Sequence, residues 1–366
     1  MHKVIILGSG NIGFTVALLL LSSEDYEVTV VARNKKRLAY LEKVLNVKTI
    51  QYDLENKKNF SKLLIGYDSV ISALPYYLNV TVAKAALKTG INYFDFTEDV
   101  QTTNEIKKIS KKAKKSQVFI PQCGLAPGFI SILAYSVYEQ FEQVHSIKMR
   151  VGALPKNPSN KILYNLTWST DGLINEYSND CFAIKNKELV TIQPLEGLEK
   201  FSLDGLEYEA FNTSGGLGTL CETLESKVKE LNYKTIRYKG HREYMDFLIN
   251  DLYLGKKQRR GLLKQILEYA IPITKQDVVL IFCSVTGMIN GKLEQITNVR
   301  KIYNQRIENQ DLSSIQITTA SGLCAVLDLK VKGKIKKYGF IKQEDIKMKD
   351  FISNRFGKAY DIKELK

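Results

Sequence analysis

A chain of 366 residues with 44% hydrophobic and 25% charged residues has the makeup of a globular protein, long enough for two domains. No apolar run approaches the roughly 18 residues of a membrane span, and the glycines inside the N-terminal VIILGSG mark a strand end instead of a secretory leader. Lys and Arg outnumber Asp and Glu by 53 to 39, a formal charge of +14. The basic runs KKISKKAKK (107–115), GKKQRRG (255–261) and KVKGKIKK (330–337) lack the interleaved aromatics of a single-strand binder. They read as solvated helix faces whose field attracts anionic ligands, so neither nucleic acid nor membrane is an expected partner. The five cysteines (Cys123, Cys181, Cys221, Cys283, Cys324) are odd in number, scattered and never paired as C-x-x-C, which points to reduced thiols in a cytoplasmic protein. The three histidines form no ligand cluster, and no metal is expected.

In chain order, β-branched runs at 3–7, 27–32, 47–51, 69–73, 92–96 and 117–120 predict strands. Amphipathic stretches near 12–23, 35–45, 57–64, 79–89 and 102–115 predict the helices between them. This alternation implies a doubly wound parallel sheet of Rossmann type, because parallel strands need crossover connections. After CGLAPGF (123–129) the texture changes. ISILAYSVYEQF reads as a helix, and HSIKMRV, ILYNLTWS, CFAIKNKELVTI and DVVLIFCSVTGMING read as strands. GTLCETLESKV and EYMDFLIND read as short helices among them, so the second unit is an α+β substrate domain with a mixed, largely antiparallel sheet. SIQITT reads as a strand leading into a helix from about 319 to 331 that returns to the first domain. The expected organisation is a dinucleotide-binding domain over 1–125, a substrate and oligomerisation domain over 126–318, and a C-terminal helix and tail over 319–366.

GSGNIG places Gly8, Gly10 and Gly13 in G-x-G-x-x-G spacing, after a strand and at the start of a helix. The first glycine allows the tight turn, the second lets backbone approach a pyrophosphate, and the third permits close helix–strand packing. Asn11 and Ile12 open the helix whose N-terminus meets the negative charge. Where an NAD-binding fold usually carries an acid, the second strand here ends in Arg33, with Asn34 and Arg37 beyond it. A guanidinium grips a 2′-phosphate that a carboxylate would repel, so NADP(H) is expected over NAD(H). Arg33 as a surface residue and Asn34 as a helix cap are the plainer readings.

Asp53, after the third strand, is placed either to meet the adenine amino group or to cap the next helix. Ala73, Leu74 and Pro75 follow the fourth strand, in the crevice where ligands of such sheets bind. Glu98, after the fifth strand, is a candidate proton acceptor or a solvated loop acid.

The ordered series GxGxxG, ALPY, VAKAALKTG, CGLAPG, WSTDGLINEY, FNTSGG and YKTIRYKGH, over about residues 1–250, resembles the saccharopine dehydrogenase family. Within it, the likeness is to the lysine 6-dehydrogenase and saccharopine reductase-like branch. The resemblance implies a Rossmann domain, a substrate domain with a mixed sheet, and NAD(P)-dependent oxidation of a C–N bond or the reverse. It implies departures too: the family's aspartate in the G-L-D-P-G turn is Ala126, its carboxylate-binding arginine is Asp171, and a cysteine is replaced by Val151. Exchanging that arginine for an acid suits a substrate with an extra amine better than one with an extra carboxylate. Arg33 departs from the acid that lysine dehydrogenases carry after the second strand.

In YKTIRYKGH, Arg237 is a candidate α-carboxylate clamp or a surface arginine on a strand. His241 is a candidate proton relay near neutral pH or a packed, capping histidine. Ser214 and Gly215 in TSGG are placed to contact substrate or to form a tight turn. The expected protein is a cytoplasmic homodimer acting on a small amino-acid substrate: an NADP(H)-dependent oxidoreductase at a C–N bond of lysine or a lysine-derived amino acid. The alternatives are a saccharopine- or carboxynorspermidine-type reductase that condenses an aldehyde with an amine, and a non-catalytic dinucleotide sensor or scaffold.

Overall fold

The computed structural model describes residues 1–55 and 60–361. It divides into two units, residues 1–129 with 316–361, and residues 130–315. Positions 57–59 of the helix expected at 57–64, and 362–366 of the expected C-terminal segment, lie outside the described residues.

The first unit opens with β1 (His2–Leu7), α1 (Asn11–Leu21), β2 (Tyr26–Ala32), α2 (Lys35–Leu45), β3 (Lys48–Gln51), α3 (Phe60–Leu63) and β4 (Ser69–Ser72). It continues with α4 (Asn79–Thr89), β5 (Asn92–Asp95), α5 (Val100–Ser110) and β6 (Val118–Ile120). After α6 (Phe129–Tyr138) come β7 (Gln143–Pro155), α7 (Thr170–Ser178), β8 (Cys181–Lys185), β9 (Glu188–Ile192), β10 (Glu199–Leu203), β11 (Leu206–Asn212) and α8 (Leu220–Leu224). Then follow β12 (Val228–Tyr238), α9 (His241–Asp246), α10 (Arg260–Ala270), β13 (Asp277–Ile289), β14 (Lys292–Tyr303), β15 (Gln305–Ile307) and β16 (Gln310–Leu312). The chain closes with α11 (Ser314–Val331), β17 (Gly339–Phe340) and α12 (Met348–Ser353).

In the first unit the order β17-β6-β5-β4-β1-β2-β3 forms one seven-stranded sheet, parallel at every pairing. Val4, Ile5, Ile6 and Leu7 of β1 are wholly buried, as a central strand covered on both faces requires. Two helices stop where the sequence supplies a left-handed residue: Asn46 ends α2 and Gly90 ends α4, each returning its N–H to a carbonyl of the last turn.

The second sheet runs β10-β11-β12-β7-β13-β14, with β8 beside β12 and β9 beside β8. Only β12 and β7 pair in parallel; the other pairings are antiparallel. Strands β10, β11 and β14 and helix α10 have no counterpart among the elements read from the pattern.

Two expectations are corrected. Residues 162–169 form no strand: apart from an isolated bridge at Leu166, the backbone there is irregular, braced by the Asn160 side-chain amide donating to the Tyr164 carbonyl at 2.6 Å. SIQITT is helical from Ser314 on. The buried Asp277 carboxylate accepts the N–H groups of Ser314 and Ile315, capping the helix from 37 residues away.

The C-terminal segment is held by Asp328 on α11. One of its oxygens accepts from the Tyr26 hydroxyl and from Arg355, the other from Asn354 and Lys332. Burial works to raise its pKa, but these partners outweigh it and hold the carboxyl below its usual range. Among the described residues no helix is long and apolar enough to cross a membrane. Asp328→Ala strands the Tyr26 hydroxyl and the Arg355 charge. It is expected to cost about 3 kcal/mol, read as a lower urea midpoint with an unchanged m-value.

Candidate functional site

Because the first sheet is parallel, residues that follow β1, β2, β4, β5 and β6 emerge along one edge. Gly8 follows β1 with φ at +112°, a conformation other residues avoid, and its N–H donates to the Val31 carbonyl at 2.8 Å. A Cβ on Gly8 would strike the backbone carbonyl of Ala73, and one on Gly13 would strike the Gly8 carbonyl. The segment of Ala73, Leu74 and Pro75 is thus docked against the glycine turn by backbone alone, with the Ala73 N–H donating to Leu7.

Gly10 is different. Its φ is −67° and nothing lies within 4 Å of a built Cβ. That opening faces an α1 N-terminus without a side-chain cap, where the N–H groups of Asn11 and Ile12 are those a phosphate would accept from. The residues present therefore fit a dinucleotide.

After β2, Arg33 projects with three quarters of its side chain exposed, and its guanidinium lies 4.0 Å from Glu55. Asn34 caps α2, its Oδ1 accepting from the Arg37 N–H. Arg37 is the arginine that touches the glycine loop: its Nε donates to the Ser9 carbonyl at 2.9 Å, and the guanidinium lies over the Tyr40 ring at 5.0 Å. Asp53 closes a local turn by accepting from Glu55 N–H; the described geometry gives it no other hydrogen bond.

Past β5, Glu98 is half-buried, and Asp99 caps α5 through Thr102. The acid that the sequence reading missed is Asp95, wholly buried at the strand end. It accepts from the Tyr93 hydroxyl (2.6 Å) and the N–H groups of Thr97 and Gln122 (both 2.9 Å). Burial pushes its pKa up to about 6 against those bonds. The available signal was an acid inside an apolar strand run, NYFDF.

In the second unit the geometry gathers on Arg237. It is 3% exposed, so the surface reading of this residue is corrected. Its Nε donates to Tyr177 Oη at 2.7 Å and its Nη1 to the Ile236 carbonyl at 2.8 Å, while the guanidinium lies 5.2 Å from the Tyr164 ring centre. Burial opposes its charge, but Tyr177, Tyr164 and the Glu176 carboxylate outweigh that, and its pKa is raised. Ser214 is fixed by two bonds to α7, its N–H to the Glu176 carbonyl and its hydroxyl to the Asn175 carbonyl, while Gly215 turns the chain at φ +87°.

Buried in the same unit, Thr213 Oγ1 and Asn175 Nδ2 make no hydrogen bond. Unpartnered polar atoms in a dry interior are costly. Asp171 stands in the first turn of α7, ion-paired to Lys264 of α10 at 2.6 Å.

His241 does not titrate near neutrality, which corrects that expectation. It is wholly buried, and burial with the neighbouring Arg237 charge holds its pKa at about 3. Glu176, Tyr177 and Tyr164 were not read from sequence, because each meets Arg237 only through the fold, Tyr177 from 60 positions away.

Gly10→Ala is expected to leave the melting temperature unchanged while weakening NADPH binding at least tenfold, since only a ligand would meet the added methyl; Gly13→Ala should lower both. A second expectation concerns acid. The unfolded chain binds a proton at His241 below about 6.5 and the folded chain only near 3, so the native state loses roughly 1 kcal/mol per pH unit as pH falls below about 6.5. Asp95 acts in the opposite sense, losing stability as pH rises from about 4 to 6. The difference in urea midpoint between His241→Gln and the parent at pH 7 and pH 5 isolates the histidine, the variant gaining on the parent at the lower pH.

Residues 4–120 match the saccharopine dehydrogenase NADP binding domain, and residues 124–358 match the saccharopine dehydrogenase C-terminal domain. The saccharopine dehydrogenase (NADP(+), L-glutamate-forming) of Schizosaccharomyces pombe is 23% identical over 273 residues, 72% of this chain and 60% of that protein. The mitochondrial alpha-aminoadipic semialdehyde synthase of Bos taurus is 27% identical over 196 residues, 51% of this chain and 21% of that protein. The chain thus spans three fifths of one curated relative and a fifth of the other. Among solved structures, apo saccharopine dehydrogenase (L-Glu forming) from Saccharomyces cerevisiae aligns at TM-score 0.79 with 18% identity, over 96% of both chains. A homospermidine synthase from Legionella pneumophila, solved with NAD, aligns at 0.68 with 12% identity over 98% of this chain and 89% of that one. These structural likenesses concern the fold, and it is the two domain matches in succession that make this chain a member of the saccharopine dehydrogenase family.

Proposed function

We propose that the protein is an NADP(H)-dependent oxidoreductase acting at a C–N bond of lysine or a lysine-derived amino acid. The observation that carries this reading is the buried Arg237. Two of its donors serve Tyr177 and Ile236, and its guanidinium lies 5.2 Å from the Tyr164 ring centre. A planar cation held that way suits an α-carboxylate, and the Thr213 hydroxyl, buried without a hydrogen bond, suits a further polar atom.

The nicotinamide supplies the chemistry of the family, taking or giving a hydride. The chain supplies position and charge. Gly10 and the first turn of α1 receive the pyrophosphate, and Arg33 and Arg37 receive the 2′-phosphate, Arg37 already tethered to the loop through Ser9. Glu98 is the proposed group for the amine proton, since His241 stays neutral and fully engaged. The relatives named as saccharopine dehydrogenases support the reading without deciding the substrate.

Lysine alone should reduce NADP⁺. Oxidation of NADPH only when an aldehyde and an amine are supplied together would instead mark reductive condensation. No turnover with a broad amine panel despite tight NADPH binding would mark a sensor. Arg33→Asp combined with Arg37→Gln is expected to raise the KM for NADPH at least tenfold without raising that for NADH; an unchanged ratio removes the basis for NADP preference.

A further inference from the structure

We propose that Tyr177 and His241 are positioning residues that hold the Arg237 guanidinium in the single orientation that receives a substrate carboxylate. This rests on the carboxylate-clamp reading of Arg237. An arginine side chain has several rotatable bonds and loses considerable rotamer entropy when fixed, so a clamp that must point one way needs something to aim it.

The aim comes from a chain of hydrogen bonds whose direction is determined end to end. Arg237 Nε donates to Tyr177 Oη at 2.7 Å. Having accepted there, the Tyr177 hydroxyl has its one proton to give, and His241 Nε2 lies 3.0 Å away. For Nε2 to accept, the ring proton must sit on Nδ1. Nδ1 is 2.7 Å from the Ile162 carbonyl, which can only accept, and this fixes the tautomer. The sequence of donors is therefore Arg237, Tyr177, His241, ending at Ile162 O.

A protonated His241 would donate from Nε2 and turn the Tyr177 proton back toward Arg237, setting donor against donor. Burial foremost, and then the Arg237 charge of β12, keep that from happening. The carboxylates nearby are engaged elsewhere. Glu176 of α7 acts on Arg237, Tyr177 and Tyr164. Glu209 of β11 is occupied with the N–H groups of Gly240 and Arg242 at the start of α9. Tyr164, Tyr177 and Phe211 enclose the imidazole. Both Tyr177 and His241 are 0% exposed, and both ring nitrogens are used, so the histidine has no proton to trade with solvent.

The test is a kinetic series on the full chain at saturating dinucleotide. Tyr177→Phe and His241→Leu are expected to raise the amino-acid KM about tenfold while changing kcat less than threefold and leaving the NADPH KM, which reports on the first unit, as in the parent. His241→Gln keeps an acceptor for the Tyr177 hydroxyl and should restore the KM to within threefold, with a kcat/KM profile from pH 5.5 to 7.5 that overlays the parent's. The proposal is overturned if kcat falls with KM unmoved, or if an inflection in that pH range disappears in His241→Gln, either of which would make His241 a proton carrier. Arg237→Lys separates the two layers. If it leaves KM unchanged, the clamp reading falls; if it raises KM while Tyr177→Phe does not, only the positioning role falls.

Discussion

The first unit depends on one close approach of backbone to backbone, where Gly8 lies against both Gly13 and the Ala73 carbonyl. No side chain fits in that space. Because β1 can turn there, α1 starts directly above the sheet edge, and the segment after β4 is brought to within contact of the same turn. Gly10 then presents bare backbone at a helix end that no side chain caps. Gly8 and Gly13 thus permit the packing, and Gly10 alone of the three leaves open space. Arg37, after β2, reaches the same loop through the Ser9 carbonyl.

The second unit is organised around a cost. A guanidinium taken out of water is expensive unless hydrogen bonds and opposite charge replace the solvent. Arg237 has Tyr177, a backbone carbonyl, the Tyr164 ring and the Glu176 carboxylate in that role. Hydroxyl and amide groups of the same neighbourhood remain without partners. His241 illustrates how environment rewrites residue type. The side chain best known for titrating at neutral pH is here a neutral link in a hydrogen-bond chain.

The parallel sheet was legible because its signals are local and repetitive. Apolar runs such as KVIIL and helix stops such as Gly90 act over a few residues, and six strands and their crossovers follow from them. The glycine spacing was equally plain, since each glycine has its own steric reason. Legibility failed where the deciding partner is remote. SIQITT looks like a strand until Asp277 caps it as a helix, and ILYNLTWS has the alternation of a strand without a neighbour to pair with. Asn34 could be read as a cap or a cofactor contact from the sequence, and its bond to the Arg37 N–H is what the structure provides.

The sequence by itself determined the doubly wound sheet and the glycine turn, because each follows from spacing within a few residues. The tertiary structure alone decided that Arg37 reaches the glycine loop, that Asp95 is buried with a raised pKa, and that Arg237 is an interior cation bonded to Tyr177, which in turn meets His241. Burial and long-range hydrogen bonds set those properties, and neither is a property of a residue until distant segments of the chain have closed around it.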